Sequence, residues 1–214
     1  MKSTSTTTIY LVRHGATASN RAVPYKIQGR ASDLPLDPLG LEQSERVARA
    51  LAAVPLTTVY SSPLIRAFET ARRIALPHRL TPIAENGIIE ADAGRWEGLT
   101  WDEAKALDPA HHERFHAHPG TTPYPGGESF LDVQGRVAMI LRALADAHPG
   151  ETIAAVAHNV VNRAYLAGVL GLPIDLARAL RQYNGGFNVV KIQYGRPQLL
   201  TLNAGLHLTG VETI

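Results

Sequence analysis

Ile9-Tyr10-Leu11-Val12-Arg13-His14-Gly15 opens the readable part of this chain. The apolar run Ile9 to Val12 is rich in β-branched and aromatic side chains, which predicts a short buried strand. Arg13-His14-Gly15 then turns the chain, so the polar, chemistry-bearing residues fall at the strand's carboxyl end. The same arrangement recurs downstream. Thr57 to Tyr60 reads as a second strand that runs into Ser61-Ser62-Pro63, and Thr152 to Ala157 as a third that ends at His158.

Helical periods separate these strands. From Leu39 to Val54, Val47, Ala48, Leu51 and Val54 recur at spacings of three and four opposite Glu42, Glu45, Arg46 and Arg49, with Asp37 as cap and Pro38 in the first turn. A second helix follows Ser62-Pro63 and runs to about Ala75. A short edge strand is expected near Pro82 to Ala84, then a loop from Ile88 to Gly98 and a short helix at Thr100, capped through Glu103. Phe130, Val133, Val137, Ile140, Leu141 and Leu144 give the clearest helical period, which ends at His148-Pro149-Gly150. Phe187 to Ile192 and Gln198 to Leu202, joined by Tyr194-Gly195-Arg196-Pro197, read as a β-hairpin. Strands alternating with helices predict an α/β fold, with a mostly parallel central sheet covered by helices on both faces. Such sheets place ligands beyond the carboxyl ends of their strands, where His14, Ser61-Ser62 and His158 fall.

The 214 residues are 45% hydrophobic and 19% charged, the composition of an ordinary globule, and predict a single domain over 1–214. The segment of about 100–127, whose stretch His118 to Gly127 is rich in proline and glycine, is expected to roof the site as a helical and loop insertion. Twenty-one basic against nineteen acidic side chains give a net charge of +2, too balanced for a surface built to neutralise nucleic acid. Zero cysteine removes disulfides, thiolate zinc sites and cysteine nucleophiles. No signal-like or membrane-spanning run is present in the Ser/Thr-rich opening, and the expected location is cytoplasmic.

Arg13, His14, Arg66 and His158 converge in one crevice on this reading, and cations held that close need an anion. Arginine's planar fork suits phosphate oxygens, Gly15 would let backbone approach, and the helix after His158 would offer free N–H groups. A phosphoryl group is the expected occupant.

At these residues the chain resembles a known family, the histidine phosphatase superfamily, branch 1, also called phosphoglycerate-mutase-like. Leu11-Val12-Arg13-His14-Gly15-Ala16-Thr17 is similar to its Arg-His-Gly signature. Asn20, Gln28-Gly29, Asp33 with Pro35-Leu36, Gly40, Ser61 to Ala67 with Thr70-Ala71, Glu90 with Gly94-Arg95-Trp96-Glu97-Gly98, Pro125 to Ser129, and Ala157-His158 follow in the family's order, covering about residues 9 to 160. The resemblance implies a three-layer αβα sandwich and a metal-independent phosphomonoesterase acting on a small phosphorylated metabolite, without cofactor. His14 would attack phosphorus and become a phosphohistidine. Arg13, Arg66, Asn20, Gly15 and His158 would hold the phosphoryl group, and Glu90 would protonate the leaving oxygen, which requires an upward pKa shift. Thr17, Gln28, Gly29 and Asn159 are expected to contact substrate.

The chain departs from the family pattern in three places. Asn159 follows His158 where glycine is usual, and Ala16 stands where an acidic residue is common. Glu90-Ala91-Asp92-Ala93-Gly94 lacks the basic string of cofactor-dependent phosphoglycerate mutases, so mutase activity is the alternative to hydrolysis. His112-Glu113-Arg114-Phe115-His116 matches the H-E-x-x-H pattern of zinc hydrolases. Against that reading, Pro119-Gly120 stops any helix within a turn of His116, the flanks are polar and no third ligand follows, so a solvated helix face and no metal site are expected. A silent binding module is disfavoured by the complete set of polar residues. The terminal hairpin would leave a sheet edge through which the chain could form a homodimer.

Overall fold

The computed structural model describes residues 6–213; most of the Ser/Thr-rich opening lies outside them. Six strands form one sheet in the order β3-β2-β4-β1-β5-β6: β1 (Thr7–Arg13), β2 (Leu56–Ser61), β3 (Ile83–Ala84), β4 (Thr152–Ala157), β5 (Phe187–Gln193) and β6 (Arg196–Ala204). The first four are parallel, while β5 and β6 run antiparallel as the expected hairpin. Its turn is built from Tyr194 and Gly195, both at positive φ (51° and 72°), the backbone that matches the twist of two-residue hairpins.

Alternation along the central strands divides the core in two. Ile9 and Leu11 of β1, with Ile153, Ala155 and Ala157 of β4, face α6 (Phe130–Ala147) and α7 (Asn159–Val169). Their neighbours Val12, Ala154 and Val156 face α2 (Pro38–Leu51) and α3 (Ile65–Ala75). A period of two puts successive side chains on opposite sheet faces, so a sheet buried on both faces needs apolar residues at every position. The three-layer arrangement follows.

Local signals explain most boundaries. Asp37 accepts the Gly40 N–H at 2.7 Å and Pro38 occupies the first turn of α2. That helix ends at Leu51, short of the expected Val54, because Val54 precedes Pro55 and is biased away from helical backbone. The expected short helix is α4 (Trp101–Leu107), with Thr100 and Glu103 exchanging capping hydrogen bonds of 3.2 and 2.7 Å. The H-E-x-x-H residues lie on α5 (Pro109–Ala117). The one-turn helix α1 (Ala18–Arg21) and the 3₁₀ segment Ile174–Ala179 had no periodic signal. Among the described residues no helix is long and apolar enough to cross a membrane.

Candidate active site

Register brings the crevice together. Arg13 of β1 pairs with Ala157 of β4, and Ser61 of β2 with Val156, so His14, Ser62 and His158 leave three adjacent strands side by side. The two imidazole centroids are 5.0 Å apart. Each ring is nearly or fully buried, and burial together with Arg66 keeps both pKa values well below the usual imidazole value, so both are neutral.

The protein fixes which His14 nitrogen is free. Nδ1 lies 2.6 Å from the Gly15 carbonyl oxygen, which can only accept, so Nδ1 carries the proton. Nε2 therefore presents a lone pair, toward which Arg66 Nε–H donates at 3.3 Å. Arg66 is completely buried, yet its other nitrogens donate only to backbone carbonyls, Nη1 to Ser32 at 2.8 Å and Nη2 to Gly29 at 3.0 Å. No carboxylate among the described residues is within ion-pair distance of it, although Glu90, Asp33 and Glu97 act on its charge from further away. Arg13, also buried, donates through Nη1 to the Gln182 carbonyl at 2.6 Å; burial is the main reason its pKa drops to about 10. Two desolvated guanidiniums beside an unprotonated imidazole make a seat for a dianion.

Glu90 closes the far side. Its Oε1 accepts the Ala91 N–H at 2.9 Å and its Oε2 the Val160 N–H at 3.4 Å, so the carboxyl touches the first turn of α7. Burial pushes its pKa up, against the opposing pull of the two N–H groups, Arg66 and Arg136. Arg136 is held by Glu128 at 2.7 Å and reaches the Gly87 and Glu90 carbonyls, which fixes the loop from behind. Among the described residues Glu90 forms no ion pair with Arg95, five residues on, whose side chain is exposed.

Several expected ligands are supports. Gly15 was expected to offer backbone to phosphate, but its N–H donates to Thr70 Oγ1 at 3.1 Å. Its missing side chain is required by the Gly40 carbonyl of α2, with which a Cβ would collide. Gly29 likewise touches Arg66 rather than open space, and its N–H is taken by Glu97 Oε1 at 2.7 Å. Thr17, fully buried, donates its one hydroxyl proton to Gln28 Oε1 at 2.9 Å, with Asn20 Oδ1 at 3.3 Å from the same oxygen. That Asn20 oxygen also takes the Thr17 N–H at 3.1 Å, leaving its amide NH2 for a ligand.

Gln28 and Asn159 line a cavity of about 370 Å³ that opens from Glu90. Its other walls include Tyr25, Trp101, His116, Tyr124, Phe130, Arg163 and Arg178. The roof is therefore α4, α5 and the loop after them. The face carrying His112 and His116 is not merely solvated: His111 and His112 pack on Trp96 with centroids at 5.5 and 5.9 Å, and His116 on Trp101 at 5.1 Å. Among the described residues no group of three or more His, Asp or Glu could hold a metal ion.

Sequence reading missed a second layer after α7. Asn184 Nδ2 donates to the His14 carbonyl at 3.0 Å, and Gln182 and Asn188 exchange side-chain amide hydrogen bonds of 2.7 and 3.2 Å. The only signal was a polar, glycine-containing run, Gln182 to Gly186, entering an apolar strand.

The sequence profile of the histidine phosphatase superfamily (branch 1) matches residues 9–205. Phosphoserine phosphatase 1 of Hydrogenobacter thermophilus is 32% identical over 200 residues, 94% of this chain and 93% of that protein. YhfR of Bacillus stearothermophilus superposes with a TM-score of 0.88 at 30% identity, covering 94% of this chain and 99% of that one. The Entamoeba histolytica phosphoserine phosphatase in complex with 3-phosphoglyceric acid gives 0.83 at 28% identity, with 94% and 99% covered.

Proposed function

Since the chain belongs to the histidine phosphatase superfamily, branch 1, we propose that it is a metal-independent phosphomonoesterase of small phosphorylated metabolites, with His14 as its nucleophile. The observation that carries this reading is the pinned tautomer: Gly15 holds the Nδ1 proton, so Nε2 is an unprotonated nitrogen that faces the buried Arg66 guanidinium. Arg13, Arg66 and the Asn20 amide hold the phosphoryl oxygens, supplying in fixed form the positive charge that metal ions bring to other phosphoryl-transfer sites.

His158 adds a directed donor. Ser62 Oγ accepts the Leu64 N–H at 3.3 Å and lies 2.7 Å from His158 Nε2; on this reading it gives its own proton to that nitrogen. The His158 proton then resides on Nδ1, which is buried without a protein partner and is free for a phosphoryl oxygen.

In the first step His14 Nε2 bonds to phosphorus as the ester P–O bond breaks, and Glu90 gives its proton to the departing oxygen. In the second, the Glu90 carboxylate takes a proton from water, whose oxygen bonds to phosphorus as the P–N bond breaks. Inorganic phosphate leaves and both residues are restored. The mutase alternative gains nothing from the segment after Glu90, where Ala91 and Ala93 are buried and Asp92 pairs with Arg30 at 2.6 Å.

The test is rapid-quench mass spectrometry under neutral conditions, in EDTA, with a substrate that is turned over. The expected result is one added phosphoryl group on His14 and none in His14→Ala. Turnover without an adduct, or turnover abolished by EDTA, overturns the reading.

A further inference from the structure

The cavity beyond Glu90 carries more positive charge than one phosphoryl group uses. Arg163 and Arg178 both line it, and neither forms an ion pair with a carboxylate among the described residues. Among the described residues Glu90 is the only acidic one on its wall, and burial favours its neutral form. Arg163 spends Nε on the Leu180 carbonyl at 2.8 Å. Arg178 lies over the rings of Phe115, Trp101 and Phe130, 4.8, 5.6 and 5.8 Å from their centroids. Its Nη1 is 3.4 Å from His116 Nδ1, while Nη2 is buried with no hydrogen-bond partner.

Stacking occupies the faces of a guanidinium and leaves its in-plane N–H groups, the geometry that receives a planar or tetrahedral oxyanion. Partial burial without an acidic partner is costly unless something else supplies the negative charge. The same walls are aromatic, with Trp101, Tyr124 and Phe130 around the space. At about 30 Å³ per water, the cavity holds the volume of roughly a dozen waters, more than a three-carbon leaving group fills.

Resting on the phosphomonoesterase reading, we propose that Arg163 and Arg178 form a second anion subsite. The substrate class it selects is a phosphomonoester whose leaving group has a flat apolar body, held against Trp101, Tyr124 and Phe130, and an oxyanion of its own. The reacting phosphate sits at His14 and the second anion across the cavity, with Glu90 between them at the ester oxygen.

The experiment compares kcat/KM for phenyl phosphate, 4-carboxyphenyl phosphate, 1,4-phenylene bisphosphate and O-phosphoserine, in the intact chain and in Arg163→Gln, Arg178→Gln and Arg178→Lys. Phenyl phosphate alone tests the underlying activity, since it lacks a second anion; no phosphate release from any substrate defeats the phosphomonoesterase reading itself. Given turnover, at least one of the two doubly anionic aryl substrates should exceed phenyl phosphate and phosphoserine by about tenfold or more, the scale of a charge-assisted hydrogen bond. Which one wins tells whether the group is carboxylate or phosphate. Each Arg→Gln change should lower the ratio of the favoured substrate to phenyl phosphate by about tenfold, and Arg178→Lys should recover part of it. A ratio near one in the intact chain, or ratios that do not move while both rates fall together, would overturn the subsite.

Discussion

Glu90→Gln separates proton donation from architecture. Glutamine is nearly isosteric and keeps one oxygen to accept a backbone N–H, so the change forfeits one of two acceptors. The weaker of these is the 3.4 Å contact to Val160. A single net hydrogen bond of that kind is worth about 0.5–1.5 kcal/mol, and removal of a desolvated carboxyl offsets part of it. Loss of general-acid catalysis costs about 10² to 10⁴ in rate, or about 3–5 kcal/mol at 1.36 kcal/mol per decade. The two effects are thus separable. An alkyl phosphate, whose alkoxide cannot leave unprotonated, should lose that full factor in kcat/KM, while 4-nitrophenyl phosphate should lose less than about tenfold.

The pH profile adds an independent signature. His14 must be unprotonated, and burial and Arg66 have lowered its pKa; Glu90 must be protonated, and burial has raised its pKa. Activity on the alkyl substrate should therefore rise on the acid side through the depressed His14 value and fall on the alkaline side as Glu90 ionises. Glu90→Gln should erase the alkaline fall. Steady-state phosphate release from the two substrates across pH reads both effects. Equal loss on both substrates, with the alkaline limb intact, would show that Glu90 is not the proton donor.

Two further substitutions address residues that act through others. Gly29→Ala would place a Cβ 2.5 Å from Glu97 Oε2 and 2.7 Å from the Ala91 carbonyl oxygen, disturbing the carbonyl that holds Arg66. It should cost about 1–3 kcal/mol in thermal unfolding and about tenfold or more in kcat/KM. The control is Gly135→Ala on an exposed face of α6, where a Cβ meets nothing within 4 Å; it should stabilise by about 0.5–1 kcal/mol with unchanged kinetics. Ser62→Ala removes the hydroxyl 2.7 Å from His158 Nε2, proposed above to set that ring's tautomer, and should lower kcat about tenfold or more, with a smaller change in KM; an unchanged kcat would reject that role.

The legible parts of this molecule are those in which one local pattern has one structural solution. Apolar tetrads ending in Arg-His or His determined β1 and β4, and because the carboxyl ends of parallel strands share one edge of the sheet, they also brought His14 to the same edge as His158. Thr100 with Glu103 and Asp37 with Pro38 announced helix starts through chemistry confined to four residues. The supports of the site were less legible. That Gly15 serves Gly40, and Gly29 serves Arg66, depends on contacts between segments tens of residues apart, and a glycine looks the same in sequence whether a ligand or a carbonyl needs the space. Asn184 is equally silent, since its partner is the His14 backbone, 170 residues away in sequence.

The histidines of α5 show why the metal reading and the packing reading diverge. Residues at i and i+4 share a helix face, so His112 and His116 must be neighbours, and their centroids are 4.2 Å apart. What a zinc site needs in addition is a third donor and water, whereas this face meets Trp96, Trp101 and Arg178. Burial and the nearby cations lower the pKa of both rings, so they stay neutral and pack as aromatics around neutral pH. The same packing carries His116 to the cavity wall and seats Arg178 over Phe115. A motif that would be catalytic on another scaffold here shapes the wall of the cavity beyond Glu90. Arg13, His14 and His158 lie at or just beyond strand ends fixed by the sheet, and Arg66 in the first turn of α3, while the cavity beyond Glu90 is walled by α4, α5 and the segment carrying Arg178. Substrate choice can therefore change in those segments without moving His14.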